Sequence, residues 1–194
     1  MGSPARAGKQ SVGPRRYGVR VVDIDINGVS LTRTDPPQEA GERTTLDTFL
    51  DYHRATLMWK CSGLTDEQLR TRAVAPSSMS LLGLVRHLTE VENGWFSDFA
   101  GRMKPMPYSS RDNRDGDFDD LDTVPVADVF SAYFAECDES RAAVAGRDLD
   151  ETYTDERGRT FSLRWIYVHM IEEYARHNGH ADLLRERLDG ATGE

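Results

Sequence analysis

The stretch Leu163 to Leu188, LRWIYVHMIEEYARHNGHADLLRERL, constrains this chain most, because at about 3.6 residues per turn it presents one continuous inward stripe. Ile166, Met170, Glu173, His177, Leu184 and Leu188 recur three, four or seven apart along that stripe, with His180 close beside them. Glu173 is therefore expected to point inward. A buried carboxylate without a partner is costly or takes up a proton, and a divalent metal held by Glu173 and His177 removes that penalty. A spacing of four is the one that lets two side chains on a helix grip a single ion.

The rest of the chain supplies elements for this helix to pack on. Residues 1–18 are rich in Gly, Pro, Ser and Arg and are expected to be disordered. In VVDIDINGVSLT, Val22, Ile24 and Ile26 alternate with polar residues ahead of Asn27-Gly28, so the segment reads either as a small hairpin or as an extended arm. From Thr45 to Cys61, the residues Leu46, Phe49, Leu50, His53, Leu57 and Trp59 fall mostly on one side of a helix that Gly63 closes. Thr65 to Gln68 matches a capping box and opens a short helix to about Arg70. Ser80 caps a second long helix, with Leu81, Leu84, Leu88, Val91 and Trp95 as its seam and an end near Ala100-Gly101.

Residues 103–123 hold two prolines and six aspartates and read as a solvated loop. The run Asp112 to Asp117 resembles a calcium loop, but placing Gly116 at the sharp turn puts Arg111 at the first ligand position, which argues against an EF-hand. A third long helix runs from Thr123, with Pro125 just inside, to Gly146, and ETYTDERGRTF is an irregular or hairpin-like lead-in to the last helix. Ser162 caps that fourth long helix and Gly190 ends it. No repeat or heptad run emerges. The expected fold is all-α: a four-helix bundle over residues 36–194, with residues 1–35 as an N-terminal extension that is disordered or a small hairpin.

Charge narrows the partners. A net charge of -9 and a pI near 5.1 argue against broad binding to nucleic acid or anionic lipid, either of which needs a basic patch. No apolar run approaches the ~20 residues needed to cross a bilayer, and the basic start is not followed by the apolar region of a signal peptide, so a cytoplasmic protein is expected. Cys61 and Cys137 are not spaced as a redox or zinc pair and read as reduced, buried thiols without a catalytic role; His53 is given none either.

His87 lies between Leu84 and Val91 on the second helix and faces the same interior as Glu173 and His177. Three such ligands with a fourth position open make a catalytic metal site, for which zinc, nickel, iron or manganese are all suitable. His180 and His169 lie near the same face as further ligands, hydrogen-bond partners or proton carriers, with His180 the first candidate for proton transfer. Asn178 and Arg185 are candidates to hold a polar substrate, and Trp95, Trp165 and Tyr167 to wall a pocket.

The segments SLLGLVRHLTEVENGWF and EEYARHNGHADLLRERLDGATGE resemble the DinB-like superfamily, in its actinobacterial branch of mini-circle proteins related to mycothiol-dependent maleylpyruvate isomerases. The resemblance covers roughly residues 35–194. Most DinB-like proteins use three His, the last two spaced by four; here Glu173 stands at the first of that pair, as in the maleylpyruvate isomerase group. The resemblance thus implies metal ligation by His87, Glu173 and His177, favours Zn2+, and implies an up-down-down-up bundle with a long crossover between the second and third helices. It implies a thiol-dependent S-transferase or isomerase that uses mycothiol or a similar low-molecular-weight thiol; a monomer or a homodimer is expected. The alternatives are a hydrolase whose metal activates water and a non-enzymatic metal- or ligand-binding stress protein.

Overall fold

Side-chain caps at Thr65, Ser80 and Ser162 set the starts of three helices. A computed structural model of the protein describes residues 19–193, so the expectation of disorder over residues 1–18 lies outside the described residues. Strands β1 (Val21–Ile26) and β2 (Val29–Thr34) form a hairpin. Its turn is Asn27-Gly28, with φ of 50° and 76°, the left-handed pair that a tight two-residue connection requires. The hairpin docks on helix α1 (Glu42–Cys61) by burying Ile24 and Ile26 and by donating from Arg33 Nε to Thr56 Oγ1 at 2.7 Å. An isolated pair of strands is barely stable, and this docking face answers that weakness.

Helix α1 begins three residues before the expected Thr45. Helix α2 (Asp66–Arg70) starts at the Thr65 capping box, with both reciprocal hydrogen bonds to Gln68 present. Ser80 Oγ accepts from Gly83 N and opens α3 (Leu81–Glu92), which continues through a π-helical turn at Asn93–Ser97 where an uninterrupted helix was expected. The region read as a solvated loop contains α4 (Gly116–Asp119), whose Gly116 and Asp117 are buried. Its aspartates diverge: Asp117 points into the protein, whereas Asp112, Asp115, Asp119, Asp120 and Asp122 stay exposed.

Helix α5 (Val126–Val144) starts after Pro125, three residues beyond the expected Thr123. A second small hairpin, β3 (Thr152–Thr154) and β4 (Thr160–Ser162), leads into α6 (Leu163–Asp189), which Ser162 caps and Gly190 ends in the left-handed conformation. The chain is thus mostly helical, with two two-stranded sheets among the described residues.

Cross-links between the long helices give their directions. Glu42 meets Arg164, Asp47 meets Tyr167, His53 meets Asn178 and Lys60 meets Asp182, so α1 and α6 run the same way. Helix α3 runs against α6, since Phe96 packs on Tyr167 and His87 on His177. Helix α5 runs against α1, since Tyr133 Oη donates to Arg54 O and Arg141 pairs with Asp51. Between them lies a core that includes Leu57, Met58, Leu84, Leu88, Phe130, Ile166 and Met170, all buried.

One ion pair lies inside this core. Arg54 on α1 donates from Nε and Nη2 to both oxygens of Glu92 on α3, each at 2.7 Å, and Glu92 is fully buried. Removing one member strands the other charge. Glu92→Ala should lower the unfolding free energy by about 3–5 kcal/mol in urea denaturation, and replacing both members by apolar residues should cost less than that. A Glu92→Ala loss below ~1 kcal/mol would show that the pair does not anchor the core.

Candidate metal centre

Helix α3 delivers His87 and α6 delivers Glu173 and His177 to one place. One ligand atom from each lies within 4.8 Å of the others, a group that can hold a metal ion. The His87 and His177 rings are 4.7 Å apart, centre to centre, and His177 Nε2 is 3.4 Å from Glu173 Oε2. Side-chain exposures of 28% for His87, 15% for Glu173 and 11% for His177 put the group at the rim of the core, where solutes can reach it. Glu173 is therefore only partly inward. The innermost position at that level of α6 belongs to its neighbour Tyr174, which is fully buried.

Each member of the group is held from behind. His87 Nδ1 is 2.8 Å from Asp117 Oδ2; with that nitrogen donating to the carboxylate, Nε2 is left with its lone pair. His177 Nδ1 is 3.3 Å from His180 Nδ1, and the tautomer that donates from His177 leaves its Nε2 as the lone-pair atom on the Glu173 side. Glu173 Oε1 is turned the other way, 3.7 Å from both His169 Nε2 and Arg176 Nη1. Burial, followed by the His87, His180 and Arg176 charges, pushes the His177 pKa down to about 4. The ring is neutral at physiological pH, as a metal ligand must be. Two imidazoles and one carboxylate whose ligand atoms converge fit a divalent metal of the zinc class.

The other sequence candidates divide. His180 backs His177 and is not among the three convergent groups. His169 stacks on Trp165 at 4.9 Å and 18° and touches the group through Glu173; it also joins Glu172 and Glu173 in a second cluster that satisfies the same 4.8 Å criterion. Arg185 Nη1 donates to the carbonyls of Lys60 and Ser62 and its remaining nitrogens bind Asp189, so it closes the C-terminal end of α1. Asn178 Nδ2 donates to the His53 carbonyl, while its buried Oδ1 has no hydrogen-bond partner among the described residues. Burial pushes the Cys61 and Cys137 thiols up to about 12, which makes both inert at neutral pH.

A cavity of about 370 Å³ opens against His87 and Asp117, with Val91, Trp95, Met106 and Phe118 as apolar wall and Ser109, Arg114 and Asp115 at its polar edge. Trp165 and Tyr167 do not line it. Tyr167 belongs to a larger cavity of about 540 Å³ near the start of α1, where Arg43, Arg54, Arg141 and Arg147 face Asp47 and Asp51. Those arginines are bound to carboxylates or helix-end carbonyls.

Over residues 45–190 the chain matches the family model described as Mycothiol-S-transferase. The chain belongs to the mycothiol S-transferase family. No curated protein and no solved structure matches it. The matched range in this family member takes in His87, Asp117, Glu173 and His177, while the β1–β2 hairpin falls before it. The residue that sequence reasoning missed is Asp117. Its signal was present but weak: Asp117 precedes the buried Leu121 by four, a helical spacing within a run of otherwise exposed aspartates.

A lowered histidine pKa has a definite sign in stability. His177 titrates near 6.5 when exposed and near 4 when folded, so between those values the unfolded chain binds more protons. The metal-free protein should therefore lose stability as pH falls through that window, with no contribution from His177 above it. Urea denaturation at about pH 7 and about pH 5 should show a smaller loss in His177→Gln than in the wild type. Equal losses would assign the acid sensitivity to another group.

Proposed function

We propose that this family member is a metal-dependent thiol S-transferase whose centre is His87, Glu173 and His177. The convergence of these three groups, with His87 itself lining a walled cavity, is the observation that supports the reading. The helix directions described above support the up-down-down-up DinB-like bundle as its architecture. When bound, a divalent metal, for which we favour Zn2+, supplies a Lewis acid that keeps a low-molecular-weight thiol such as mycothiol ionised at neutral pH.

The chain's own groups do the positioning. Neutral His177 offers a lone pair without first losing a proton, while Asp117 and His180 fix the ring orientations of His87 and His177. Glu173 brings one negative charge, which offsets part of the metal's charge and leaves the centre electrophilic. Trp95, Val91, Met106 and Phe118 exclude water from one side of the cavity, and Arg114 and Ser109 offer hydrogen-bond donors to a polar substrate. Neither protein thiol takes part, since both are buried and protonated. The sulfur that reacts comes from the substrate.

Two measurements test this. Elemental analysis should find about one divalent metal per chain, lost in a His87→Ala, Glu173→Ala double variant. The metal-loaded protein should consume mycothiol in the presence of an alkylating electrophile, and the double variant should not. Stoichiometric metal in the double variant would remove the ligand assignment. Turnover of an ester or amide, with no thiol consumed, would replace the transferase with a hydrolase.

A further inference from the structure

The segment between the π turn and α5 is fastened to α3 at closely spaced points around His87. Arg86, buried and lying 4.3 Å over the Tyr108 ring, donates to the carbonyls of Gly116 at 2.9 Å and Asp120 at 2.6 Å. One turn on, Glu90 Oε1 accepts from the Tyr108 and Ser109 amides at 2.7 and 2.6 Å, and Asn93 Nδ2 donates to Pro105 O. Two glycines permit the close approach. A Cβ on Gly116 would sit 2.4 Å from the Tyr108 carbonyl oxygen, and one on Gly83 would sit 2.6 Å from the Phe118 ring. The segment bonded this way places the Asp117 carboxylate, itself buried, on His87. It also supplies Met106, Ser109, Arg114, Asp115, Asp117 and Phe118 to the cavity wall.

We propose that Asp117 is a positioning residue for the metal centre, and that it couples metal loading to the fixing of segment 105–121 as a wall of the substrate cavity. The inference rests on the reading of His87 as a ligand. A carboxylate on the far nitrogen sets the tautomer of a ligating imidazole and raises its basicity. Coupling of this kind is reciprocal: whatever affinity the metal gains from Asp117 held in place, the segment gains in stability from the metal. Loading the centre then also shapes the cavity that receives the substrate.

Zinc affinity and limited proteolysis together decide the matter. Zinc affinity is measured by competition with a chromophoric chelator, and trypsin cleavage is followed after Arg111 and Arg114, both exposed on the segment, with exposed Arg157 as an internal reference. Asp117→Asn and Asp117→Ala should weaken zinc binding by about 10–100-fold while leaving the melting temperature of the zinc-free protein near wild type. Zinc should slow cleavage after Arg111 and Arg114 in the wild type, slow it less in Asp117→Asn and not at all in Asp117→Ala, with Arg157 unaffected throughout. Gly83→Ala, which touches no ligand, should reduce both affinity and protection through Phe118. Equal protection in the wild type and Asp117→Ala, or unchanged affinity in both Asp117 variants, overturns the coupling. Zinc binding that persists in His87→Ala overturns the ligand reading on which it rests.

Discussion

The buried contact between Arg54 and Glu92 sets the register on which the candidate site depends. With two tyrosines it joins one residue from each of the four long helices: Arg54 from α1, Glu92 from α3, Tyr133 from α5 and Tyr174 from α6. Tyr174 Oη donates to Glu92 Oε1 at 2.8 Å, and the two tyrosine hydroxyls meet at 3.0 Å. Burial alone would make such charges costly, and complete hydrogen bonding is what makes the arrangement tolerable. Burial also drives both tyrosine pKa values well above the usual range, so their hydroxyls remain donors. Because partners must meet at hydrogen-bond distance, the helices cannot slide or rotate freely. Glu92 lies five residues beyond His87, and Tyr174 directly follows Glu173, so the same contact brings the His87 level of α3 and the Glu173 level of α6 together.

The arrangement separates what must be rigid from what must be reached. The apolar core and the ion pair lie inside, while the imidazoles and Glu173 stand at the edge, backed by Asp117, His180 and His169. A π turn follows Glu92 immediately, and its Gly94 and Trp95 line the cavity. Such widened turns recur at functional sites because they redirect side chains that a regular helix would place elsewhere. Trp95 also packs edge-on against His169, which links the cavity wall to the group behind Glu173.

Much of this was legible in the sequence, because the signals were local. Thr65, Ser80, Ser162 and Gly190 mark helix ends through hydrogen bonds or dihedral angles confined to a few residues, and the spacing of Glu173 and His177 is a property of one helix. What periodicity could not supply was pairing across the chain. Arg54 and Glu92 lie far apart in sequence, and neither looks like a core residue alone. The inward stripe of α6 was read one residue off at Tyr174, since an average of 3.6 residues per turn does not settle which of two adjacent residues lies deepest. The contacts of Arg185 and Asn178 with the α1 backbone were hidden for a related reason: a polar residue near a candidate site has the same signature whether it meets a substrate or the next helix. Asp117 was hidden by its exposed neighbours, and only the backbone contacts of Gly116 and Arg86 single it out.

X-ray absorption at the zinc edge, with and without mycothiol, tests the central claim most directly. The loaded protein alone should show only nitrogen and oxygen neighbours near ~2.0–2.2 Å, because Cys61 and Cys137 are buried away from the site, and adding the thiol should introduce one sulfur near ~2.3 Å. No sulfur shell at saturating thiol, or a sulfur already present before thiol is added, would contradict a centre built from His87, Glu173 and His177 that takes its sulfur from the substrate.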